Sequence, residues 1–167
     1  NSLIQLKEIS KLIKKNNAHC TFGTLRRYLS TYKTAINFLK EGMIGELKEV
    51  SFNQGSTLLC WNHIHGIDLI QSILSPYVIK SVRAFSKNQI NDHQDNLIDG
   101  DPEISFIHFS TVDGPQGVIS CAGGYDLMIH GTKGTIEIRN DGIDCVYRTG
   151  ISDDSPYWTK TTKFNIP

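Results

Sequence analysis

Residues 60–70 (CWNHIHGIDLI) hold the densest group of side chains able to exchange protons or bind metals: Cys60, His63, His65 and Asp68. Imidazole changes charge near neutral pH, so a histidine can accept or donate a proton during a reaction. His65 and Asp68 are three residues apart, which on a helix places the carboxylate where it could orient the imidazole or hold its proton. The pattern indicates acid–base chemistry at His65. The plain alternative is one histidine in the core and one on the surface.

A metal-dependent hydrolase is a different interpretation of the same group. Side chains two residues apart on a helix point about 200° apart, so His63 and His65 cannot share a metal there. The hydrolase pattern HxHxDH also has its aspartate two residues after the second histidine, whereas Asp68 follows His65 by three. The acidic stretch 88–103 does not have the glycine and glutamate spacing that a calcium loop requires. We therefore predict no metal site.

A helix must position these side chains. Apolar residues recur at helical spacing from residue 64 onward, and the pattern stops at Ser75 and Pro76. The apolar stripe comprises Ile64, Ile67, Ile70 and Leu74. His63 continues this stripe, whereas His65 lies off it and towards Asp68. We expect His63 to be buried and structural, and His65 to line a cleft and to be functional.

The N-terminal part combines helices with a short strand. Leucines and isoleucines between residues 3 and 13 predict an amphipathic helix that has Ser2 as its N-cap and ends in a basic turn. Residues 18–23 are partly β-branched and end in glycine, which predicts a strand. A second helix is predicted to begin near residue 30 and to end where Gly42 can adopt a left-handed conformation.

Strands dominate the rest of the chain. They are predicted at residues 47–53, 77–87, 104–112, 117–121, 125–130, 135–139 and 143–147. Short turns join the later strands, so the sheet should be open and mostly antiparallel, with helices on one face. The predicted fold class is α+β. The tail 152–167 shows no clear periodicity, although Tyr157, Trp158 and Phe164 could pack on the body or on a second subunit.

Composition and charge disfavour several classes of protein. The 17 basic residues balance the 17 acidic residues, so no global field attracts nucleic acid or anionic lipid. No apolar run reaches the roughly 20 residues of a membrane helix, and the N-terminus does not have the pattern of a signal peptide. The cysteines at 20, 60, 121 and 145 are far apart, which predicts reduced, mostly buried thiols. We expect a soluble cytoplasmic protein that binds neither nucleic acid nor membranes.

Three segments, in this order and spacing, resemble the C-terminal part of the Gfo/Idh/MocA (glucose-fructose oxidoreductase / inositol dehydrogenase) family of NAD(P)-dependent oxidoreductases. They are RRY at 26–28 leading to EGMIGEL at 41–47, IHGID at 64–68, and IHGTKGTIE at 129–137. The resemblance implies an α+β substrate-binding and oligomerisation domain over residues 25–167. Before it, residues 1–24 would be the last helix and strand of a Rossmann-type nucleotide-binding domain.

The resemblance also implies roles for individual residues. His65 matches the family's catalytic histidine, and Arg27, Trp61 and Asp68 are the implied substrate-binding residues. Many members have an aspartate four residues before the histidine, and that position is Trp61 here. An indole can stack on a sugar face but cannot exchange a proton, so the family's usual set of catalytic groups is incomplete.

The cofactor that the resemblance implies is NAD or NADP. The sequence has no GxGxxG turn to bind a pyrophosphate at a helix N-terminus, and the family's catalytic lysine would precede Asn1. We therefore expect this chain alone to bind NAD or NADP no better than weakly. The predicted function is the substrate-binding and dimerisation part of an oxidoreductase acting on a sugar, polyol or sugar nucleotide. The alternative is a catalytically silent homologue that serves as a binding or oligomerisation module.

Self-association is expected from one strand. Ile104, Phe106, Ile107 and Phe109 would place apolar side chains on both faces of that strand, and the N-terminal helices can cover only one face. A two-fold contact through the outer face of the sheet would cover the other. We therefore expect a homodimer or a higher homo-oligomer.

Overall fold

Three α-helices precede most of the strands in the computed structural model, which describes residues 3–87, 93–94, 97–98, 101–150 and 157–164. The helices are α1 (Leu3–Lys15), α2 (Ser30–Lys40) and α3 (Ile64–Leu74). Shorter helical turns are the 3-10 turns Arg26–Tyr28 and Asn140–Gly142 and the π-helical turn Leu59–His63. The predicted N-cap Ser2 lies outside the described residues. Within those residues, every helix is too short or too polar to span a membrane.

The strands form one large sheet and a small hairpin. They are β1 (Leu47–Asn53), β2 (Thr57–Leu58), β3 (Ile79–Ser86), β4 (His93–Gln94), β5 (Leu97–Ile98), β6 (Glu103–Thr111), β7 (Gln116–Ser120), β8 (Asp126–Gly131), β9 (Gly134–Arg139), β10 (Asp144–Thr149) and β11 (Lys160–Lys163). The nine-stranded sheet has the order β11-β10-β9-β8-β1-β7-β6-β2, and β3 also pairs with β6. β4 pairs with β5.

Most of the described strand pairs are antiparallel, as predicted. The exception among them is β1 with β7, which are parallel and place Val50 beside Gly117. β1 also pairs with β8 in antiparallel fashion and so lies in the middle of the sheet. The predicted α+β class with a mostly antiparallel sheet is confirmed.

Helices α2 and α3 cover one face of the sheet and form the core with it. Val50 and Phe52 of β1 share this face, as predicted, and are fully buried. On α3 the buried apolar side chains are Leu69, Ile70, Ile73 and Leu74. The predicted stripe is therefore correct at Ile70 and Leu74 but wrong at Ile64, which is 41% exposed. The side of α3 that meets the sheet is centred one position away from the predicted stripe.

Gly66 allows α3 to lie close to β1. A Cβ atom at this position would lie 2.9 Å from Cδ1 of Phe52 and would also overlap the side chain of Gln54. Real Cβ atoms do not approach other atoms so closely, so only glycine fits here without movement of the strand or the helix. The close approach places the start of α3, which carries His65, directly over the centre of the sheet.

β6 has apolar side chains on both faces, as predicted, but only Phe106 provides one on the outer face. Ile104, Ile107 and Phe109 are at most 4% exposed and belong to the core, while Phe106 lies on the opposite face. The ladder between β3 and β6 is irregular between Phe85 and Ser86, which changes the alternation near Ile104. The outer face therefore has one large apolar side chain from this strand, beside Phe85.

The N-terminal region departs from the prediction in one respect. α1 forms as predicted, but residues 18–23 form no strand in the structure. A strand needs a neighbour that offers backbone hydrogen bonds, and no described segment lies beside these residues as one. None of the residues of α1 is buried, so its apolar side faces open space.

The C-terminal tail is more ordered than its sequence pattern suggests. β11 pairs with β10, and the ring of Phe164 lies 5.3 Å from that of Phe38 on α2. Phe164 therefore packs on the body, whereas Tyr157 is 75% exposed. The strand was missed because its four residues, KTTK, have no apolar alternation, as is common at a sheet edge.

The four cysteines are free, in agreement with the prediction of reduced thiols. Only Cys145 is buried, so the prediction that most of them are buried is wrong. Cys20 and Cys60 are exposed because they lie on the segment before the first 3-10 turn and on the π-helical turn, where the described chain leaves them open to solvent.

Candidate active site

A cleft of about 740 Å³ lies between residues 20–28 and α3. On the α3 side its lining residues are Ile64, Ile67, Asp68 and Gln71, and on the other side they include Arg27 and Tyr28. The cleft combines an apolar wall with a few charged and hydrogen-bonding groups. This composition suits a small ligand that presents both hydroxyl groups and apolar faces.

Arg27 and Asp68, two of the predicted site residues, meet in this cleft. Arg27 Nε lies 3.3 Å from Asp68 Oδ2, close enough for an ion pair although the N–H is not aligned for a hydrogen bond. The guanidinium also lies 4.9 Å from the ring centroid of Tyr28, a cation–π distance. Asp68 was expected to orient His65. The structure shows it paired with Arg27 instead.

The two histidines differ in burial as predicted. His63 is fully buried, and its ring lies beside backbone groups of Thr57 and Ile104 without the alignment of a hydrogen bond. Burial lowers the pKa of His63 below its usual value, which favours the neutral imidazole. These observations fit a structural role for His63.

His65 is half-buried and lies at the first turn of α3. Its Nδ1 is buried and has no hydrogen-bond partner among the described residues. His65 is not among the residues that line the cleft, so its predicted position on the cleft wall is not confirmed. It lies instead one helical turn before Asp68 on α3.

Trp61 lies apart from the cleft. Its side chain is 79% exposed, and its backbone N–H donates a hydrogen bond of 2.9 Å to Asp101 Oδ2. Cys60 N donates to the other carboxylate oxygen of Asp101 at 2.7 Å. Asp101 thus caps the π-helical turn, as a carboxylate caps the start of a helix. The structure does not bring the indole together with Arg27 and Asp68.

A carboxylate that the sequence did not single out lies near His65. Asp141 accepts hydrogen bonds from Arg26 Nε at 2.9 Å and from the hydroxyl of Tyr32 at 2.7 Å. Burial opposes its charged form, but these hydrogen bonds outweigh burial and hold the pKa of Asp141 below its usual value. His65 contributes to the same effect, so the two side chains lie within electrostatic range of each other.

Two further contacts hold the start of α3 in place. The Arg26 guanidinium lies 5.1 Å from the ring centroid of Tyr125, whose hydroxyl accepts a hydrogen bond from Asn62. Gln54, which is 1% exposed, donates from Nε2 to the backbone oxygen of Asn62 at 2.6 Å. The π-helical turn is therefore attached both to the sheet and to the 3-10 turn of Arg26. Through it the position of His65 is fixed relative to the sheet.

The group formed by Cys60, His63, His65 and Asp68 does not converge on one point. Asp68 pairs with Arg27, His63 is buried, and Cys60 is exposed. Within the residues that the structure describes, no three histidine, cysteine, aspartate or glutamate side chains are placed to hold a metal ion. The arrangement can bind hydroxyl groups and transfer protons.

Comparison with known proteins gives a clear result for the fold. No protein-family model matches the sequence, and no curated protein matches it. Solved structures do match. An aldose-aldose oxidoreductase from Caulobacter crescentus, complexed with glycerol, aligns over 99% of this chain and 53% of its own, with a TM-score of 0.75 and 13% identity.

Two other solved structures align similarly. An inositol dehydrogenase homologue from Azotobacter vinelandii, complexed with NADH and myo-inositol, has a TM-score of 0.70 and 12% identity, over 98% of this chain and 46% of its own. An NAD-binding oxidoreductase from Klebsiella pneumoniae has a TM-score of 0.70 and 14% identity, over 98% and 50%. The chain has the fold of Gfo/Idh/MocA-type oxidoreductases. It spans about half the length of these chains.

Proposed function

We propose that this chain is the C-terminal, substrate-binding part of an NAD(P)-dependent oxidoreductase that acts on a sugar, polyol or sugar nucleotide. The proposal rests on the position of His65, which lies one helical turn before Asp68 of the cleft and whose buried Nδ1 has no hydrogen-bond partner among the described residues. The fold shared with oxidoreductases whose structures hold glycerol or myo-inositol supports the substrate class. A cytoplasmic location is part of the same proposal.

The chemistry assigned to this chain is proton transfer and substrate binding. Oxidation of a secondary alcohol removes a hydroxyl proton while a hydride leaves the same carbon. The imidazole of His65 accepts that proton. Arg27 donates hydrogen bonds to substrate oxygens and Asp68 accepts them from substrate hydroxyls.

NAD or NADP is the cofactor expected of the whole enzyme, and the NAD-binding and NADH-containing structures support that expectation. The residues of this chain do not fit it by themselves. The sequence has no glycine-rich turn, and α1 has no buried residue, so α1 does not lie on the sheet that a nucleotide-binding domain requires. We assign no step of the reaction to a cofactor site in these residues.

Residues 1–24 are assigned to a nucleotide-binding domain and residues 25–167 to the substrate domain. The support is the exposed apolar side of α1, where five large aliphatic side chains are each at least 50% exposed: Leu3, Ile4, Leu6, Ile9 and Leu12. Isolated amphipathic helices of this length are marginal in water, so α1 needs a surface on which to pack. The remaining elements of a nucleotide-binding domain are that surface.

Self-association through the outer face of the sheet is also proposed. α2 and α3 occupy the inner face, and Phe85, 62% exposed, lies next to Phe106 on the outer face, with ring centroids 6.3 Å apart. A two-fold contact would bury both rings at once.

Substrate binding is testable on this chain. Saturation-transfer NMR with a panel of sugars and polyols should identify a ligand, and Asp68→Asn should weaken its binding about tenfold, because one charge-assisted hydrogen bond is lost. Asp144→Asn, an exposed carboxylate on β10, is the matched control and should leave binding unchanged. If no compound of the panel binds, or if Asp68→Asn and Asp144→Asn bind the ligand equally well, the cleft is not the substrate site.

A catalytically silent module is the second candidate. It is favoured by Trp61, which occupies the position of the family's aspartate and points into solvent. The enzyme and the silent module are distinguished by measuring turnover of the chain after it is joined to a nucleotide-binding domain. Polyol-dependent reduction of NAD⁺ or NADP⁺ that is lost in His65→Ala supports the enzyme. Polyol binding without turnover supports the silent module.

A further inference from the structure

A second concavity, the basic groove, lies between α2 and α3 beside the cleft. Its volume is about 410 Å³, and it is lined by Arg27, Tyr28, Lys33, Asn37, Lys40 and Ser72 together with one isoleucine. Arg27 and Tyr28 also line the cleft, so the two concavities are continuous. A ligand of sufficient length can occupy both.

The basic groove carries an excess of positive charge although the whole chain is neutral. Three of its lining residues are cations and none is a carboxylate. Lys33 and Lys40 are exposed, and among the described residues neither has a carboxylate oxygen within 4.0 Å. Neutral donors are present as well, since Tyr28, Asn37 and Ser72 each offer a hydroxyl or amide group.

Lysines on an exposed helix face are usually only solvated, and Lys33 and Lys40 share one face of α2. The geometry here differs because the third cation comes from another element. Arg27 lies on the 3-10 turn, and Ser72 lies on α3, so the donors converge on a concavity from three sides. Convergent cations in a concave site attract anions more strongly than the same charges on a convex surface.

Arg27 is already oriented for such a ligand. Its Nε is engaged by Asp68 and its guanidinium lies over Tyr28. These contacts leave the terminal nitrogens of Arg27 without a hydrogen bond or ion pair to any other described residue. Guanidinium nitrogens held in a fixed plane suit the paired oxygens of a phosphoryl group.

We propose that the basic groove binds a phosphoryl group of the substrate, with the carbohydrate part of that substrate in the adjoining cleft. The inference rests on the proposed function and narrows its substrate class, from a sugar, polyol or sugar nucleotide to a substrate that carries a phosphoryl group. Such a substrate is a sugar phosphate or a nucleoside-diphosphate sugar. A neutral polyol would leave Lys33 and Lys40 of the groove without an anionic partner among the described residues.

Calorimetric titration of this chain with inorganic pyrophosphate, in a buffer of low ionic strength, tests the inference. Saturable binding is expected. The double substitution Lys33→Ala, Lys40→Ala should weaken it about tenfold, because two exposed charges are lost from the site. Lys80→Ala, an exposed lysine on β3, is the control and should bind as the unmodified chain does. No saturable binding, or equal loss in both variants, overturns the proposal.

Two further arms identify the source of the phosphoryl group. If uridine diphosphate binds more tightly than pyrophosphate, and if its binding is weakened by Lys33→Ala, Lys40→Ala, the phosphoryl group belongs to the substrate. If instead the binding of NADH is weakened by the same double substitution, the groove belongs to the cofactor and the proposal is wrong. The outcomes are separable from those for the proposed function. Polyol binding that depends on Asp68 is measured without any phosphoryl group, so that result stands even where pyrophosphate does not bind.

Discussion

Arg26 and Asp141 are 115 residues apart in the sequence, and their side chains form a two-point ion pair. Arg26 Nε lies 2.9 Å from Oδ1 and Nη2 lies 3.1 Å from Oδ2. Tyr32, whose side chain is fully buried, donates its hydroxyl to the same Oδ1 at 2.7 Å. The pair joins the 3-10 turn of the cleft wall to the turn between β9 and β10. It therefore determines where Arg27 stands.

Asp141→Asn should lower the free energy of unfolding by about 1–2 kcal/mol near neutral pH, because hydrogen bonds from a guanidinium and a buried hydroxyl are weakened. The carboxylate is partly open to solvent, so the lower end of that range is expected. Urea denaturation followed by circular dichroism measures the loss. Asp144→Asn is the control and should change stability by no more than about 0.5 kcal/mol.

The effect of Asp141→Asn should also depend on pH. The pKa of Asp141 in the folded chain is below its usual value, so its stabilising effect is present above about pH 4. That effect is lost as the pH falls through the lower folded value. The two proteins should therefore differ most near pH 7 and converge in acid. If the difference in free energy of unfolding between the two proteins grows in acid, the charged carboxylate of Asp141 is not the stabilising form.

His63 makes stability depend on pH in the range where histidine titrates. Burial lowers the pKa of His63, so between the folded and unfolded values the unfolded chain binds a proton that the folded chain does not. Stability should fall as the pH drops below about 6.5, by at most about 1.4 kcal/mol per pH unit. His63→Leu should flatten this dependence.

Urea denaturation between pH 8 and pH 5 measures the dependence on His63. His130→Gln is the matched control, since His130 is only half-buried and lies on β8. This variant should keep the slope of the unmodified chain. If His63→Leu keeps that slope and His130→Gln loses it, the assignment of the buried neutral histidine is wrong.

Gly66→Ala should destabilise the fold, although alanine favours a helix by about 1 kcal/mol over glycine. The added methyl group would overlap Phe52 and Gln54, and overpacking of this kind costs about 1–3 kcal/mol. Thermal unfolding measures the change. Gly23→Ala has nothing within 4 Å of the added atom and serves as the control, with no loss expected. Equal stability of the two variants would contradict the close approach of α3 to β1.

Self-association should depend on the outer face of the sheet. Phe106→Glu should shift the chain towards monomer, because it places a charge in the proposed two-fold contact. Sedimentation velocity at tens of micromolar protein measures the fraction of dimer. Val78→Glu replaces another exposed apolar residue, 68% exposed and just before β3, and should not change the fraction. A monomer for the unmodified chain at these concentrations contradicts the proposal.

Local periodicity was sufficient to predict the elements that have strong signals. α2, α3 and the strands from β6 to β10 follow from apolar spacing, from glycine-containing turns and from the stop at Pro76. The greater burial of His63 compared with His65 also follows, because burial on a helix depends on position around its axis. These features depend on residues close together in the sequence.

Contacts between distant residues could not be predicted in this way. Nothing near Asp141 marks it as the partner of Arg26, because the turn NDG has the same local chemistry whether or not its aspartate is paired. Asp68 was expected to serve His65 because both lie on one helix, but Arg27 approaches from another element and pairs with it. The strand at 18–23 was predicted from composition alone, without the neighbour that a strand needs.

One measurement tests directly whether this chain, proposed as the substrate-binding part of an NAD(P)-dependent oxidoreductase, forms a cofactor site itself. It is calorimetric titration of the chain with NADH and with NADPH, each with and without a polyol that binds the cleft. Most of a dinucleotide's binding energy comes from pyrophosphate and ribose contacts in a complete nucleotide-binding domain. We expect no binding tighter than about millimolar for either cofactor. Micromolar binding of either cofactor would contradict the proposal that this chain does not form the cofactor site itself.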